Sequence, residues 1–241
     1  TCPQPADPHA RPLGALGPPC RSGSGDAVSA PAGAEVYDAA YEGEDGSRAV
    51  LPYQDTPMRH LYDVVYTKVR RLDPVVDLGC GNGLFAQCLK ARGYCGSYLG
   101  LDFSRSAITA ALALVEATEE HDYPAEEELP QARYDFRVQD LRSWVELPGP
   151  KTHETTYVCL EVLEHLEDDI DLVARVPARA RFIFSVPNFW SESHVRVYDH
   201  VGTAFARFGN LLDFHGWEMF PTASARGAIH LYDTNRRADT W

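Results

Sequence analysis

The sequence predicts an α/β fold in which parallel strands alternate with helices. The first observation is the apolar run at 75–78, which is followed by a glycine-rich loop and by a helical pattern at 84–92. The second is that further strand-like runs follow at intervals filled by helical patterns, an order typical of a parallel sheet. A strand, a glycine turn and a helix N-terminus form the first unit of a nucleotide-binding fold. We therefore expect a Rossmann-like sheet with helices on both faces.

The remaining elements follow from the same periodicities. Residues 1–33 are rich in Pro, Gly, Ala and Ser, and they are expected to form a flexible tail. Short helical patterns precede the first strand at 36–41 and 60–69. The predicted strands are 75–78, 97–101, 134–138, 155–160, 181–186, 217–220 and 228–232, and the helices predicted after the first strand are 84–92, 104–120 and 202–214.

The glycine loop is the first candidate ligand site. Its residues are Gly79, Cys80, Gly81, Asn82 and Gly83. Glycines at alternating positions let the backbone turn sharply, so a flat ligand can lie against the main chain. The spacing of the last two glycines and Ala86 also fits a dinucleotide site, but the Asp77 carboxylate would repel a pyrophosphate. A ligand with cationic groups, such as S-adenosylmethionine, is therefore favoured, and a purely structural glycine turn is the alternative.

Asp102 is the second candidate for ligand binding. It ends a strand-like run and follows the glycine loop by about 20 residues, where an acidic residue can bind a ribose diol. A carboxylate can accept hydrogen bonds from both hydroxyls at once. The alternative is that Asp102 caps the next helix, but Ser104 is the better candidate for that role.

The composition narrows the range of partners. The chain has 241 residues and a formal net charge of −13, so it is a poor electrostatic partner for RNA, DNA or an anionic membrane. No apolar run reaches the roughly 18 residues of a membrane span, and no signal peptide is expected. The six cysteines show neither a CxxC pair nor a zinc spacing. We therefore expect a reduced, cytoplasmic protein with one α/β domain.

Residues 77–83, in the pattern Asp-x-Gly-x-Gly-x-Gly, resemble the first motif of class I S-adenosylmethionine-dependent methyltransferases. The resemblance implies one methyltransferase domain at 34–241. It also implies a closing antiparallel strand pair, which brings the mostly parallel sheet to seven strands with an antiparallel last strand. The resemblance covers about residues 35–235 and is strongest at 75–86, 97–103 and 157–165.

A lid is a further implication of the resemblance. In many small-molecule methyltransferases the segment before the first strand folds over the cofactor, which implies an N-terminal helical lid at 34–73. Tyr37, Tyr41 and His60 are therefore candidates to line the pocket, with Tyr37 assigned to the cofactor. The alternative is that these aromatic side chains pack the helices onto the sheet.

Further cofactor contacts are carried over from the family residue by residue. Phe103 would lie beside the adenine, and Asp140, followed by Leu141, would bind the adenine amine. Leu160 and Glu161 end the central strand, whose C-terminal edge faces the ligand crevice in a parallel sheet. They would therefore lie beside the transferred methyl group.

The stretch Glu161-x-x-Glu164-His165 resembles the fourth motif of the family. If the segment is helical, these three positions share one face. His165 is the candidate general base for an acceptor hydroxyl, and Glu161 is the alternative base. A purely structural role, in which His165 caps the next helix or fills space, is the other interpretation of the histidine.

The same stretch also resembles a metal site. Together with His194, or with His200, it resembles the site of metal-dependent small-RNA 2′-O-methyltransferases, and a similar run occurs in quinone-biosynthesis O-methyltransferases. The resemblance implies Mg²⁺ or Mn²⁺ bound by Glu161, Glu164, His165 and His194. The metal-free alternative is that Glu161 binds the cofactor or the substrate directly, Glu164 is solvated and His165 is the base.

The predicted function is methyl transfer from S-adenosylmethionine to an O or N atom of a small molecule, a secondary metabolite or its precursor. The negative net charge favours such an acceptor over a nucleic acid. Two alternatives stay open. One is a metal-dependent 2′-O-methyltransferase acting on RNA ends, although the downstream loop is short for that class. The other is a nucleotide-binding module without catalysis.

Overall fold

The computed structural model describes residues 33, 38, 51–119, 130–145, 154–222 and 227–238. Its strands are β1 (Val75–Leu78), β2 (Ser97–Asp102), β3 (Arg133–Val138), β4 (Thr156–Leu160), β5 (Arg181–Pro187), β6 (Leu212–Pro221) and β7 (Ala228–Arg236). Its helices are α1 (Arg59–Lys68), α2 (Leu84–Ala91), α3 (Arg105–Glu116), α4 (Asp169–Arg175) and α5 (Val201–Phe208), with one-turn 3₁₀ helices at Tyr53–Asp55 and Leu163–His165. The predicted tail at 1–33, apart from Gly33, and the helical pattern at 36–41, apart from Asp38, lie outside the described residues.

The strands form one sheet in the order β3-β2-β1-β4-β5-β7-β6. Strands β1 to β5 are parallel to one another, and β7 runs antiparallel to both β5 and β6. The predicted seven-stranded, mostly parallel sheet with an antiparallel last strand is therefore confirmed. The chain leaves β1 in one direction along the sheet and returns to β4 on its other side. A ligand crevice forms at such a reversal, beyond the carboxyl ends of the strands.

Apolar cores cover both faces of the sheet. Alternate residues of β5 point to opposite faces, so Phe184 joins one core and Ile183 the other. Leu61 of α1 packs in the core of Ile183, and Leu172 of α4 and Phe208 of α5 pack in that of Phe184. The prediction of helices on both faces is confirmed. None of the helices in the described ranges has the length and apolar character that crossing a bilayer requires.

The helix predicted at 202–214 is wrong in its second half. Helix α5 ends at Phe208, and β6 already begins at Leu212. Gly209 follows the last helical residue, and the Leu211 N–H donates to the Phe208 carbonyl at 2.8 Å, which closes a tight turn. The helical spacing of apolar residues continues by coincidence into an alternating strand pattern, so periodicity alone did not locate the boundary.

Candidate functional site

A cavity of about 470 Å³ lies at the carboxyl ends of the parallel strands. Among the residues predicted to contact the cofactor, those that line it are Gly79, Asp102, Phe103, Asp140 and Leu141. The residues predicted at the methyl-transfer end that line the same cavity are Leu160, Glu161 and His165. The structure therefore brings the two predicted halves of the site into one space.

Two positions of the loop require glycine. Gly79, Gly81 and Gly83 have φ angles of 86°, 51° and 80°, a left-handed conformation that other residues rarely adopt. A Cβ on Gly79 would lie 2.4 Å from Val162 Cγ2, and a Cβ on Gly83 would lie 2.8 Å from the Cβ of Ala111. The loop therefore passes too close to its neighbours for any larger residue at positions 79 and 83.

Asp102 joins the glycine loop to the end of β2. Its Oδ2 accepts a hydrogen bond from the Gly81 N–H at 2.9 Å, and its Oδ1 accepts from the Ser104 N–H at 2.9 Å. Burial raises the pKa of this carboxyl. Each oxygen can accept a second hydrogen bond, so its place in the cavity wall suits a ribose diol. Ser104 caps α3 as predicted, because its Oγ accepts from the Ala107 N–H at 3.0 Å, and its hydroxyl donates to Asp38 Oδ1 at 2.6 Å.

Asp77 lies beneath the loop and is absent from the residues that line the cavity. It is buried, and its Oδ2 accepts a hydrogen bond from the Tyr98 hydroxyl at 2.6 Å. Burial raises the pKa of the Asp77 carboxyl to about 7. Within the loop, Gly79 contacts the cavity directly. The other cofactor contacts predicted for this region remain predictions, namely those of Asp77, Cys80, Gly81, Asn82 and Gly83.

Asp140 belongs to an ion pair that the sequence analysis missed. Arg142 Nε donates to Asp140 Oδ1 at 3.0 Å, and its Nη2 donates to Oδ2 at 2.7 Å. The hydrogen bond from Arg142 lowers the pKa of the Asp140 carboxyl, and both residues line the cavity. A contact with an adenine amine would therefore use a lone pair that Arg142 leaves available. The i, i+2 spacing of opposite charges in the turn after β3 is the signal that could have indicated this pair.

Glu161 has a backbone conformation that is rare outside glycine. Its φ angle is 57°, and such conformations cost about 1–3 kcal/mol each and cluster at functional sites. Its Oε1 accepts a hydrogen bond from the Ser185 hydroxyl at 2.8 Å, and burial raises the pKa of its carboxyl to about 7. The predicted helical face shared with Glu164 and His165 is wrong, because this left-handed residue turns the chain ahead of the 3₁₀ helix.

His165 and His194 share one tautomer. His165 Nδ1 lies 2.9 Å from the Ser193 carbonyl oxygen, and His194 Nδ1 lies 3.2 Å from the Phe189 carbonyl oxygen. A carbonyl only accepts, so we assign the proton of each neutral ring to Nδ1 and the lone pair to Nε2. Burial lowers the pKa of both rings, which favours their neutral form. The ring centroids are 4.9 Å apart.

Glu164 completes this group of side chains. It is 1% exposed, its Oε1 lies 3.7 Å from His165 Nε2, and its Oε2 has no hydrogen-bond partner among the described residues. The expectation of a solvated Glu164 is therefore wrong. Ligand atoms of Glu164, His165 and His194 lie within 4.8 Å of one another. Glu161 is not part of that group, and His200 is exposed at the start of α5, so the structure brings together three of the four predicted metal ligands.

The predicted lid residues have different outcomes. Tyr37 and Tyr41 lie outside the described residues, so their contacts remain predictions. His60 is exposed on α1, and its ring packs edge-on against Phe220 with 5.4 Å between centroids. His60 thus fits the alternative in which these aromatic side chains pack the helices onto the sheet. The same helix buries Leu61 in the core beneath it.

Comparisons with known sequences find methyltransferases. A family model described as a methyltransferase domain matches residues 50–220. The trans-aconitate 2-methyltransferase of Mycolicibacterium gilvum is 29% identical over 196 residues, which are 79% of this chain and 69% of that protein. A ubiquinone biosynthesis O-methyltransferase of Rickettsia bellii is 28% identical over 161 residues, 63% of this chain. The match spans 59% of the length of that second relative.

Solved structures share the fold. The magnesium protoporphyrin IX methyltransferase from Synechocystis, with bound S-adenosylmethionine, has a TM-score of 0.55 at 20% identity, covering 85% of this chain and 91% of that one. An N-methyltransferase from Bradyrhizobium japonicum, in complex with S-adenosylhomocysteine, has a TM-score of 0.56 at 14% identity, covering 85% and 98%.

Proposed function

The chain belongs to the class I S-adenosylmethionine-dependent methyltransferases, and we propose that it methylates an O or N atom of a small molecule in biosynthesis. The observation that carries the proposal is the shared cavity, which Gly79 and Asp102 line together with Glu161 and His165. A cavity of about 470 Å³ has the size of a small-molecule site. The names of two similar proteins specify trans-aconitate and ubiquinone biosynthesis, which supports an acceptor of this size.

The residues of the loop side fit the cofactor. Gly79 presents bare backbone to the cavity, and any side chain there would meet Val162. Asp102 is held by two backbone N–H groups, so its carboxylate is oriented before a ribose arrives. Phe103 and Leu141 offer apolar surface for an adenine in the same wall. When bound, S-adenosylmethionine supplies an activated methyl group on its sulfonium, and the protein contributes orientation and exclusion of water.

We propose that His165 is the general base of the metal-free reaction. Its Nδ1 is held by the Ser193 carbonyl, so Nε2 carries the lone pair that can accept the proton of an acceptor hydroxyl or amine. Glu161 lies in the same cavity wall, and its carboxyl is fixed by the Ser185 hydroxyl, which suits it to orient the acceptor. If the Nε2 lone pair of His165 binds a metal ion instead, Glu161 becomes the base.

We also propose that Glu164, His165 and His194 can hold a divalent cation. The fit rests on the buried Oε2 of Glu164, which lacks a partner among the described residues, and on two Nε2 lone pairs nearby. Both rings donate their other N–H to backbone carbonyls, as metal-binding histidines do. One carboxylate and two imidazoles favour Mn²⁺ over Mg²⁺, which prefers oxygen ligands. Such a cation would lower the pKa of an acceptor hydroxyl bound to it.

The described cysteines support a reducing compartment such as the cytoplasm. Cys80, Cys88, Cys95 and Cys159 are buried free thiols, without a disulfide among the described residues. Buried thiols behave as small apolar side chains and persist where glutathione keeps them reduced. We therefore propose that the reaction takes place in the cytoplasm.

The test of the function combines binding and transfer. Calorimetric titration with S-adenosylhomocysteine and with NAD should show binding of the first alone. Label transfer from methyl-labelled S-adenosylmethionine is then measured with panels of phenols, hydroxy acids and amines, and with a short RNA that has a 2′-hydroxyl end. Transfer to the RNA alone would contradict a small-molecule acceptor. Transfer that persists after exhaustive chelation, and does not respond to added Mn²⁺, would reject the metal and leave His165 as the base.

A further inference from the structure

Two segments that are distant in sequence meet at the acceptor side of the cavity. We name residues 163–167, which follow β4, the acceptor turn, and residues 188–200, which follow β5, the histidine loop because it carries His194. The Val195 N–H of the histidine loop donates to the Glu164 carbonyl of the acceptor turn at 2.8 Å. The mutual position of the three proposed ligand side chains therefore depends on how these two segments are joined.

The guanidinium group of Arg196, in the histidine loop, makes most of the connection. It donates to the carbonyls of Leu163 and Glu167 at 3.0 and 2.9 Å, and it also donates to the carbonyl of Leu166. The Leu163 carbonyl also accepts the Leu166 N–H at 3.4 Å, but a one-turn 3₁₀ helix leaves the carbonyls at its end without helical partners. Arginine presents five N–H donors in a rigid plane. One side chain therefore holds three carbonyls of the acceptor turn at once.

Asp169 fixes this guanidinium group from the other side. It is fully buried at the first position of α4, and its Oδ2 lies 3.0 Å from Arg196 Nη1. Tyr198 donates to the same oxygen at 2.7 Å, and Arg207 donates to the two carboxylate oxygens at 2.6 and 2.5 Å. A buried carboxylate is very unfavourable unless cations and donors surround it. Arg196 and Tyr198 contact the same oxygen, so Asp169 sets the direction of the Arg196 side chain and keeps both of these partners when Arg207 is replaced.

We propose that Arg196 is a positioning residue that holds Glu164, His165 and His194 against one another before the acceptor binds. The proposal rests on the proposed function of those three side chains. Arg196 acts through backbone carbonyls, so its effect reaches the site by the placement of the acceptor turn. Without the guanidinium group the Leu166 and Glu167 carbonyls lose this donor, and Leu163 keeps only the longer bond from the Leu166 N–H. The turn then relaxes, and the 4.9 Å separation of the imidazole rings is no longer maintained. A site supported in this way is organised in advance.

Arg207 provides the matched control, because it pairs with the same buried carboxylate and donates to no carbonyl of the acceptor turn in the described structure. Arg196→Met and Arg207→Met each remove one cation from Asp169 and keep the aliphatic stem. We expect Arg196→Met to weaken Mn²⁺ binding by about 10- to 100-fold, the effect typical of losing a supporting partner of a metal ligand. S-adenosylhomocysteine affinity should be unchanged in both variants, because Asp102 and the glycine loop lie on other strands. Calorimetry measures both ligands, and thermal unfolding confirms that the variants fold.

Nuclear magnetic resonance of the imidazole nitrogens gives a readout that does not need the metal. The Nε2 signals of His165 and His194, assigned with His→Gln variants, should shift or broaden in Arg196→Met and stay in place in Arg207→Met. Arg196→Lys should behave like Arg196→Met, since one ammonium cannot reach three carbonyls. It provides a second test if Arg196→Met does not fold. If neither the wild type nor any variant binds Mn²⁺, the metal proposal fails. The imidazole signals of His165 and His194 then still decide whether Arg196 positions these side chains. Unchanged signals in Arg196→Met and Arg196→Lys, or equal changes in Arg207→Met, would overturn it.

Discussion

Replacement of Asp102 by asparagine tests whether this carboxylate holds the cofactor ribose. Its two oxygens accept hydrogen bonds from the N–H groups of Gly81 and Ser104. The asparagine side chain has one acceptor oxygen and one NH₂ donor, so one buried N–H loses its acceptor, at a cost of about 1–3 kcal/mol in the free energy of unfolding. Losing charge-assisted bonds to two hydroxyls costs a further ~1–3 kcal/mol of binding. That loss is about 5- to 150-fold in Kd for S-adenosylhomocysteine.

Two measurements separate these effects on Asp102→Asn. Urea unfolding gives the change in the free energy of unfolding, and calorimetric titration of the folded protein gives the affinity for S-adenosylhomocysteine. Asp63→Asn is the control, because it removes a surface carboxylate that pairs with Arg92, 2.7 Å away, and leaves the cavity wall intact. A folded Asp102→Asn protein that binds S-adenosylhomocysteine within about twofold of the wild type would refute the ribose contact.

Three further predictions concern the loop, the buried carboxyl beneath it and the N-terminal segment. Gly79→Ala should lower the free energy of unfolding, because the left-handed φ costs about 1–2 kcal/mol and the new Cβ meets Val162. When Val162→Ala is added, urea unfolding should show recovery of the loss caused by the Cβ contact and no recovery of the loss caused by the left-handed φ. Recovery of the whole loss would contradict the argument from φ. Between about pH 4 and 7 stability should fall as pH rises, since folded Asp77, with its pKa of about 7, keeps a proton that the unfolded chain releases. Asp77→Asn should make this slope less steep without removing it, because Glu161, with its pKa of about 7, contributes in the same direction, and an unchanged slope would reject the assignment. Removal of residues 1–33 should leave the Tm and S-adenosylhomocysteine affinity unchanged, and a tenfold loss of affinity would make the tail part of the lid.

The cofactor side of the site was predictable because its information is local. The glycine loop and the helix that follows form one strand–turn–helix unit, and Asp102 lies at the end of the next strand. Strand ends of a parallel sheet meet at one edge, so positions along the chain were enough to place Gly79 and Asp102 in one cavity. The ion pair of Asp140 and Arg142 was missed because the family resemblance that assigns Asp140 to the adenine does not include the cation that neutralises it.

The acceptor side was predicted less well because its geometry depends on contacts distant in sequence. The i, i+3, i+4 spacing of Glu161, Glu164 and His165 indicated one helical face, but Ser185 of β5 bonds the Glu161 carboxylate and the chain turns through a left-handed residue instead. The structure still brings His194 close to Glu164 and His165, because that placement needed only adjacent strand ends. The role of Arg196 could not be inferred, since nothing near it in the sequence reveals that it donates to three carbonyls about 30 residues earlier in the chain.

The distribution of unfavourable features separates the two sides of the cavity. At the cofactor side Asp102 is buried, but both of its oxygens have backbone partners. At the acceptor side Glu161 holds a left-handed backbone, and the buried Oε2 of Glu164 has no partner among the described residues. Such features lower stability and persist where the surrounding structure imposes them, most often at functional sites. The bonds from Arg196 to the acceptor turn provide that constraint. The unfavourable features thus lie on the side where we propose that the acceptor is oriented and deprotonated, and this asymmetry argues for catalysis over simple nucleotide binding.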